Sequence, residues 1–162
     1  MASAVLALLA AGCGGAEPPG VVPSSAGPVT TVTDTVPTGG GLLEGFAEIE
    51  IQVGGESWTV AFADTAALRS RGLMGVTDLG ELRGMLFAWD EDVESGFWMK
   101  DTLIPLDIAF FAADGSVVDL LSMVPCEADP CPSYRPGGPY RWALEVPAGG
   151  FEHLGTIDVV IP

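Results

Sequence analysis

From Phe46 onward the chain alternates. Ala47, Ile49, Ile51 and Val53 are apolar while Glu48, Glu50 and Gln52 are polar, the period of two expected of a strand with one wet face. Trp58, Val60 and Phe62 alternate with Thr59 and Ala61 over residues 57–63, and Gly54-Gly55 supplies a tight turn between the two runs, so residues 46–63 read as a hairpin. A short helix is predicted over residues 65–71, with Asp64 as its N-cap and Gly72 as the left-handed residue that ends it. Residues 84–89, Gly-Met-Leu-Phe-Ala-Trp, suit a strand covered on both faces. The acidic run Asp90-Glu91-Asp92-Val93-Glu94-Ser95 lacks the loop glycine and distal glutamate of an EF-hand and reads as a solvated turn.

The densest stretch is Phe97 to Phe111, which reads as two strands joined at a proline corner. Phe97 and Met99 would face one side and Trp98 and Lys100 the other; after Pro105, Leu106, Ile108 and Phe110 alternate against Asp107, Ala109 and Phe111. Asp114-Gly115 is a hairpin signal before a strand over residues 116–123. Residues 125–140 form a long proline-rich loop, residues 141–146 return to strand, Ala148-Gly149-Gly150 turns, and residues 156–161 close the chain. Many short strands and one short helix predict a mainly β fold, a single antiparallel sandwich or barrel.

Ahead of this domain, residues 1–13 and 14–43 have a different character. Met1 to Ala11 is small and aliphatic and runs into Leu9-Ala10-Ala11-Gly12-Cys13, which is similar to the bacterial lipoprotein processing site, with Cys13 as the lipid acceptor. The basic leader that usually precedes such a run is missing, so a start further upstream is expected. Residues 14–43 are rich in Gly, Pro, Ser and Thr, lack aromatic residues, and read as a flexible tether reaching roughly 30 Å. The globular part is residues 44–162. The expected location is extracytoplasmic, anchored to the cell membrane through lipid alone.

Charge narrows the partners. Six Lys plus Arg against 22 Asp plus Glu give a net charge of −16, which leaves no basic footprint for nucleic acid and would repel an anionic membrane surface. Of three cysteines, an even pair remains once Cys13 carries lipid. Cys126 and Cys131 are spaced so that a loop disulfide can close in an oxidising compartment; a redox pair or a zinc site are the alternatives, but Cys-x-x-Cys is absent and His153 is the single histidine. No phosphate-cradling glycine motif occurs, and neither cofactor nor metal is expected.

The motifs Arg71-Gly72-Leu73-Met74, Gly84-Met85-Leu86-Phe87, Phe97-Trp98-Met99-Lys100-Asp101-Thr102, Pro105-Leu106-Asp107, Asp114-Gly115 and Leu144-Glu145-Val146-Pro147-Ala148-Gly149 occur in an order and spacing that resemble the domain of unknown function 192 family. The resemblance spans Phe46 to Val160 and implies a jelly-roll-like single domain, often exported. That family commonly has a Gly-Asp pair before its last strand, where this chain has Leu154-Gly155-Thr156-Ile157-Asp158, so the local turn is expected to differ. The resemblance implies no activity and transfers no catalytic residue.

Candidate site residues therefore come from local chemistry. Asp107 and Glu145 are each a carboxylate between aliphatic neighbours in an apolar strand, an arrangement that needs solvent or a donor partner. They could form an acid–base pair if their environments split their pKa values, with Lys100 beside them, or each could be held by Arg71 or Lys100 in a structural ion pair. Trp98 with Lys100, and Tyr134 in the cysteine loop, suit a platform for a small ligand, although Trp98 in plain core is the alternative. Three readings stand: an envelope-tethered small-ligand-binding or accessory domain; an exported hydrolase or lyase using Asp107 and Glu145; and a purely structural surface domain. A monomer is expected.

Overall fold

The computed structural model describes residues 43–162. Cys13 and the segment to residue 42 lie outside the described residues. Among the described residues, nine strands and one helix are laid out as β1 (Ala47–Val53), β2 (Glu56–Ala63), α1 (Ala66–Arg71), β3 (Met85–Val93), β4 (Phe97–Trp98), β5 (Leu106–Phe111), β6 (Val117–Met123), β7 (Ser133–Tyr134), β8 (Tyr140–Pro147) and β9 (Val159–Val160). Seven of these form one sheet in the order β6-β5-β8-β3-β2-β1-β9, curled into a half-barrel, and β4 pairs with β7 as a separate two-stranded arm. The fold is mainly β with one short helix, as the alternation predicts.

The β1–β2 hairpin has the expected register, with Val53 opposite Glu56 across Gly54-Gly55. One pairing departs from the antiparallel expectation. β2 and β3 run parallel, Ala61 to Met85 and Ala63 to Phe87, because the chain between them crosses over through α1 and the following turns before re-entering the sheet. Two further local corrections follow from hydrogen bonding. Thr65, not Asp64, caps α1: its hydroxyl oxygen accepts from the Leu68 N–H at 3.2 Å, while the Asp64 carbonyl accepts from Arg69. The acidic run is not a free turn either. β3 continues through Asp90, Glu91 and Asp92 to Val93, and Asp92 meets Arg141 of β8 at 3.0 Å.

Both faces of the central strands β3, β5 and β8 are buried, so alternation there sorts side chains between two cores, whereas β1 keeps Glu48, Glu50 and Gln52 on a wet face as expected. One core holds Phe87, Leu106, Ile108, Phe110, Met99 and Tyr140; the other holds Ile51, Trp58, Val60, Ala109, Phe111, Leu144 and Val146. In the first, Phe97 meets Phe87 edge-on at 5.0 Å and Phe110 meets Tyr140 at 4.9 Å, the T-shaped geometry favoured by ring quadrupoles.

Asp107 lies on the second face, with Ala109 and Phe111. No cation holds it. Its carboxylate accepts from the Ser122 hydroxyl at 2.6 Å across the β5–β6 ladder and from the Gly149 N–H at 2.7 Å, clamping the turn after β8 to β5. An ion pair with Arg71 or Lys100, one of the expected arrangements, is therefore replaced by two neutral donors. Asparagine can keep both bonds, accepting from Gly149 and donating to a rotated Ser122 hydroxyl, whereas alanine loses both. Asp107→Asn is thus expected to cost about 1 kcal/mol or less and Asp107→Ala about 2 kcal/mol in chemical denaturation, in line with net hydrogen-bond values for charged acceptors near the surface. Equal losses in the two variants would mean that the charge itself holds the turn.

Candidate functional site

The two carboxylates that looked alike in sequence are separated by strand parity. Asp107 opposes Val146 and Ile108 opposes Glu145 in the β5–β8 register, so neighbouring rungs send the two acids to opposite faces of the sheet. They are not an acid–base pair.

Glu145 points into the first core, at the floor of a small recess of about 30 Å³ that opens to solvent. The walls come from residues 69–74 of α1 and its C-terminal turn, from Phe87 of β3, from Phe97 and Trp98 of β4, and from Thr102. Close backbone approach shapes this floor. A Cβ on Gly84, at the entrance to β3, would sit 2.1 Å from the Glu145 carbonyl oxygen, so only glycine lets β3 and β8 meet there. Gly72 has φ of +46° and turns the chain over the Phe87 ring, 3.5 Å from where its Cβ would be.

The far wall is built by the arm. Trp98 pairs with Ser133 and Phe97 with Tyr134. Met99, fully buried, pins the arm to the core, and Trp98 is left 53% exposed, so its ring is not core. Asp101, at φ of +55°, turns the chain back and accepts from the Gly75 N–H at 2.8 Å, tying the two walls together. Behind the arm, Cys126 and Cys131 are disulfide-bonded, as the pairing arithmetic predicts.

The other candidates are used elsewhere. Lys100 meets Asp129 of the disulfide loop at 3.0 Å, and that hydrogen bond, with the charge of Asp129, raises its pKa. The Tyr134 hydroxyl accepts from the Val124 N–H, a latch for the loop. Arg71 does line the recess, but its guanidinium lies 4.0 Å over the Phe46 ring and donates to the Glu44 carbonyl. Arg69, which pattern reading missed, lines it too while donating to the Asp64 and Ala88 carbonyls and covering Trp89. Of the sequence-predicted site residues, Arg71, Trp98 and Glu145 come together; Lys100, Asp107 and Tyr134 do not join them. Of the added residues, Phe87, Phe97 and Thr102 lie in motifs that carry the family resemblance but have no side-chain chemistry that singled them out, and Arg69 occupies an ordinary helix position.

Electrostatically the floor stands apart. Glu145 is 4% exposed and has no side-chain hydrogen-bond partner among the described residues. Desolvation alone pushes its carboxyl up to about 8. No group of three or more His, Cys, Asp or Glu side chains placed to hold a metal ion occurs among the described residues.

With this geometry in hand, comparison with known proteins places the chain. Residues 49–158 match the DUF192 family, described as "Uncharacterized ACR". The chain belongs to the DUF192 family. A solved structure from Novosphingobium aromaticivorans DSM 12444, a protein of unknown function, superposes with a TM-score of 0.65 at 27% identity, covering 83% of this chain and 100% of that one. Another, from Sinorhizobium meliloti 1021 and described as a "putative transcription regulator", gives a TM-score of 0.61 at 27% identity over 71% of this chain and 94% of that one. No curated protein matches the chain.

The raised Glu145 carboxyl has a stability consequence. Between the ordinary glutamate value of 4.5 and about 8 the folded protein holds a proton that the unfolded chain has released, so stability is fully present below the lower value and declines as pH rises to the upper one. Each unit of separation is worth about 1.4 kcal/mol, a loss of a few kcal/mol in all. Glu145→Gln removes this titration. Denaturation curves should therefore show the variant gaining on the wild type steadily from pH 5 to pH 8, and a constant difference across that range would rule out a neutral buried acid.

Proposed function

We propose that this DUF192 domain is a small-ligand-binding or accessory module of the cell envelope, tethered through lipid on Cys13, and that it binds at the Glu145 recess. The observation that carries the reading is a nearly enclosed carboxyl, with no hydrogen-bond partner among the described residues, whose oxygens keep a trace of solvent contact at an aromatic-lined opening. Burying such a group without a donor costs several kcal/mol, and an apolar residue there would fill the core at no such cost. Retaining it argues for a role outside folding, at some expense to stability. A half-exposed tryptophan beside it, on an arm fastened by the disulfide loop, supplies a contact surface of the kind found in ligand sites.

The hydrolase or lyase reading required Asp107 and Glu145 together, and they occupy opposite faces of the sheet. A purely structural domain leaves the unpartnered carboxyl without a reason. The regulator description attached to the Sinorhizobium meliloti protein is not carried over, because a net charge of −16 offers no counterion-releasing surface for nucleic acid.

A thermal-shift screen of small envelope components against the wild type and Glu145→Leu tests the binding site. The variant should melt at or above the wild-type temperature, and compounds that stabilise the wild type should fail to stabilise it; at 100 times Kd a ligand adds about 2.7 kcal/mol. A variant that melts lower, or hits that stabilise both proteins equally, would contradict the assignment. For the anchor, the full-length protein in its host should partition into detergent and Cys13→Ser should leave it soluble or unprocessed. Identical fractionation of the two as soluble protein would remove the lipoprotein from the account.

A further inference from the structure

The elements packed around Glu145 present few groups that could neutralise or hydrogen-bond it. β3 offers Met85 and Phe87, β5 offers Ile108 directly across the ladder, and β4 offers Phe97 and Trp98. The one polar side chain from the turn after β4 is Thr102, whose hydroxyl donates to the Lys100 carbonyl at 3.4 Å. The charged groups that reach the recess are Arg69 and Arg71; one terminal nitrogen of each donates to backbone carbonyls, and the guanidiniums cover the Trp89 and Phe46 rings. The floor is thus a carboxyl with no counter-ion, and three aromatic rings stand around it.

That combination has a chemical complement. Aromatic faces carry negative quadrupole potential and attract a desolvated cation, most strongly at tryptophan. A buried carboxylate supplies the compensating charge that such a cation needs on leaving water. An anionic ligand would be repelled by Glu145 once it ionises; Arg69 and Arg71, each with N–H groups left over from their carbonyl bonds, and the Ser70 hydroxyl also line the recess, so the acetate arm of the titration below separates an anion from a cation. The acid excess of the whole chain raises the local concentration of cations at its surface. At about 30 Å³ the recess takes only the compact tip of a ligand and leaves the remainder of the molecule against Trp98 and the rim.

Building on the ligand-site reading above, we propose that the recess takes a compact organic cation, an ammonium group of primary or methylated amine type, with Glu145 as its counter-ion and Phe97 and Trp98 as its walls. Binding draws the proton off Glu145, because the ammonium favours the ionised carboxyl, so affinity follows carboxylate ionisation and rises with pH up to about 8.

The test uses ¹⁵N-labelled protein, following the Trp98 indole N–H during titration with methylammonium, N-methylacetamide or acetate at matched ionic strength. Methylammonium should give a saturable shift at pH 8.5, bind at least about tenfold more weakly at pH 6.5, and lose the shift in Glu145→Gln. Glutamine keeps the shape of the protonated acid, so the variant retains the fold, which its overlaid backbone spectrum verifies. A Trp98 shift with acetate or N-methylacetamide and none with methylammonium would overturn the cation while leaving a ligand site in place. Methylammonium binding that is unchanged by pH or by Glu145→Gln would remove Glu145 from it. Silence toward all three probes would overturn both the cation and the site.

Discussion

Burial of one unpartnered carboxyl, Glu145, is the constraint around which this structure makes sense. β8 runs through the centre of the sheet between β5 and β3, where both faces are covered, so every residue from Ala143 to Val146 is enclosed. Ala143, Leu144 and Val146 satisfy that enclosure with apolar side chains. Glu145 does not, and its neighbours do nothing to relieve it: the closest strands offer Ile108 and Met85, and the nearby arginines bond backbone oxygens instead. What relieves it is the recess. The turn at Gly72 and the Trp98 arm stop short of closing over the carboxyl, leaving it a path to solvent or to a ligand.

The surrounding architecture holds that opening in place from two directions. On one side α1 is fixed by its Thr65 cap and by Arg69 reaching back to the Ala88 carbonyl of β3. On the other, the two-residue pairing of β4 with β7 would be marginal alone, as isolated two-stranded ribbons are. It is reinforced by Met99 in the core, by the Cys126–Cys131 disulfide and by the Lys100–Asp129 ion pair. The exposed ion pair contributes little by itself, and the buried methionine carries most of the anchoring. The N–H of Gly75 on the carbonyl of Asp101 then links one wall to the other.

Strand positions were legible because period-two alternation survives even where both faces are buried, and the Gly54-Gly55 turn and the cysteine pair were equally plain. The oddity of Asp107 and Glu145 was also visible, as carboxylates among aliphatic residues. Their relation was not, because face assignment depends on the register between β5 and β8, which local sequence does not specify. The parallel β2–β3 pairing was hidden for a similar reason: apolar strands read alike in either direction. Asp64 and Thr65 are both competent caps, and only the backbone geometry of the helix start chooses between them. Trp98 lies in a pattern that suits core, yet a two-residue strand on a separate arm leaves its ring half in solvent. Arg69 and Phe87 became site residues through the crossover that sets α1 beside β3, a long-range fact with no local signature.

Whether Glu145 is a neutral acid in the folded protein can be observed directly. With ¹³C-labelled glutamate, the side-chain carboxyl resonance of Glu145, assigned by its loss in Glu145→Gln, can be followed from pH 3 to pH 10. A midpoint near 8 is the result this account requires, well separated from the exposed glutamates of the same chain. A midpoint in the ordinary range, near 4.5, would mean that water or an arginine reaches the carboxyl freely, and the central claim would fail.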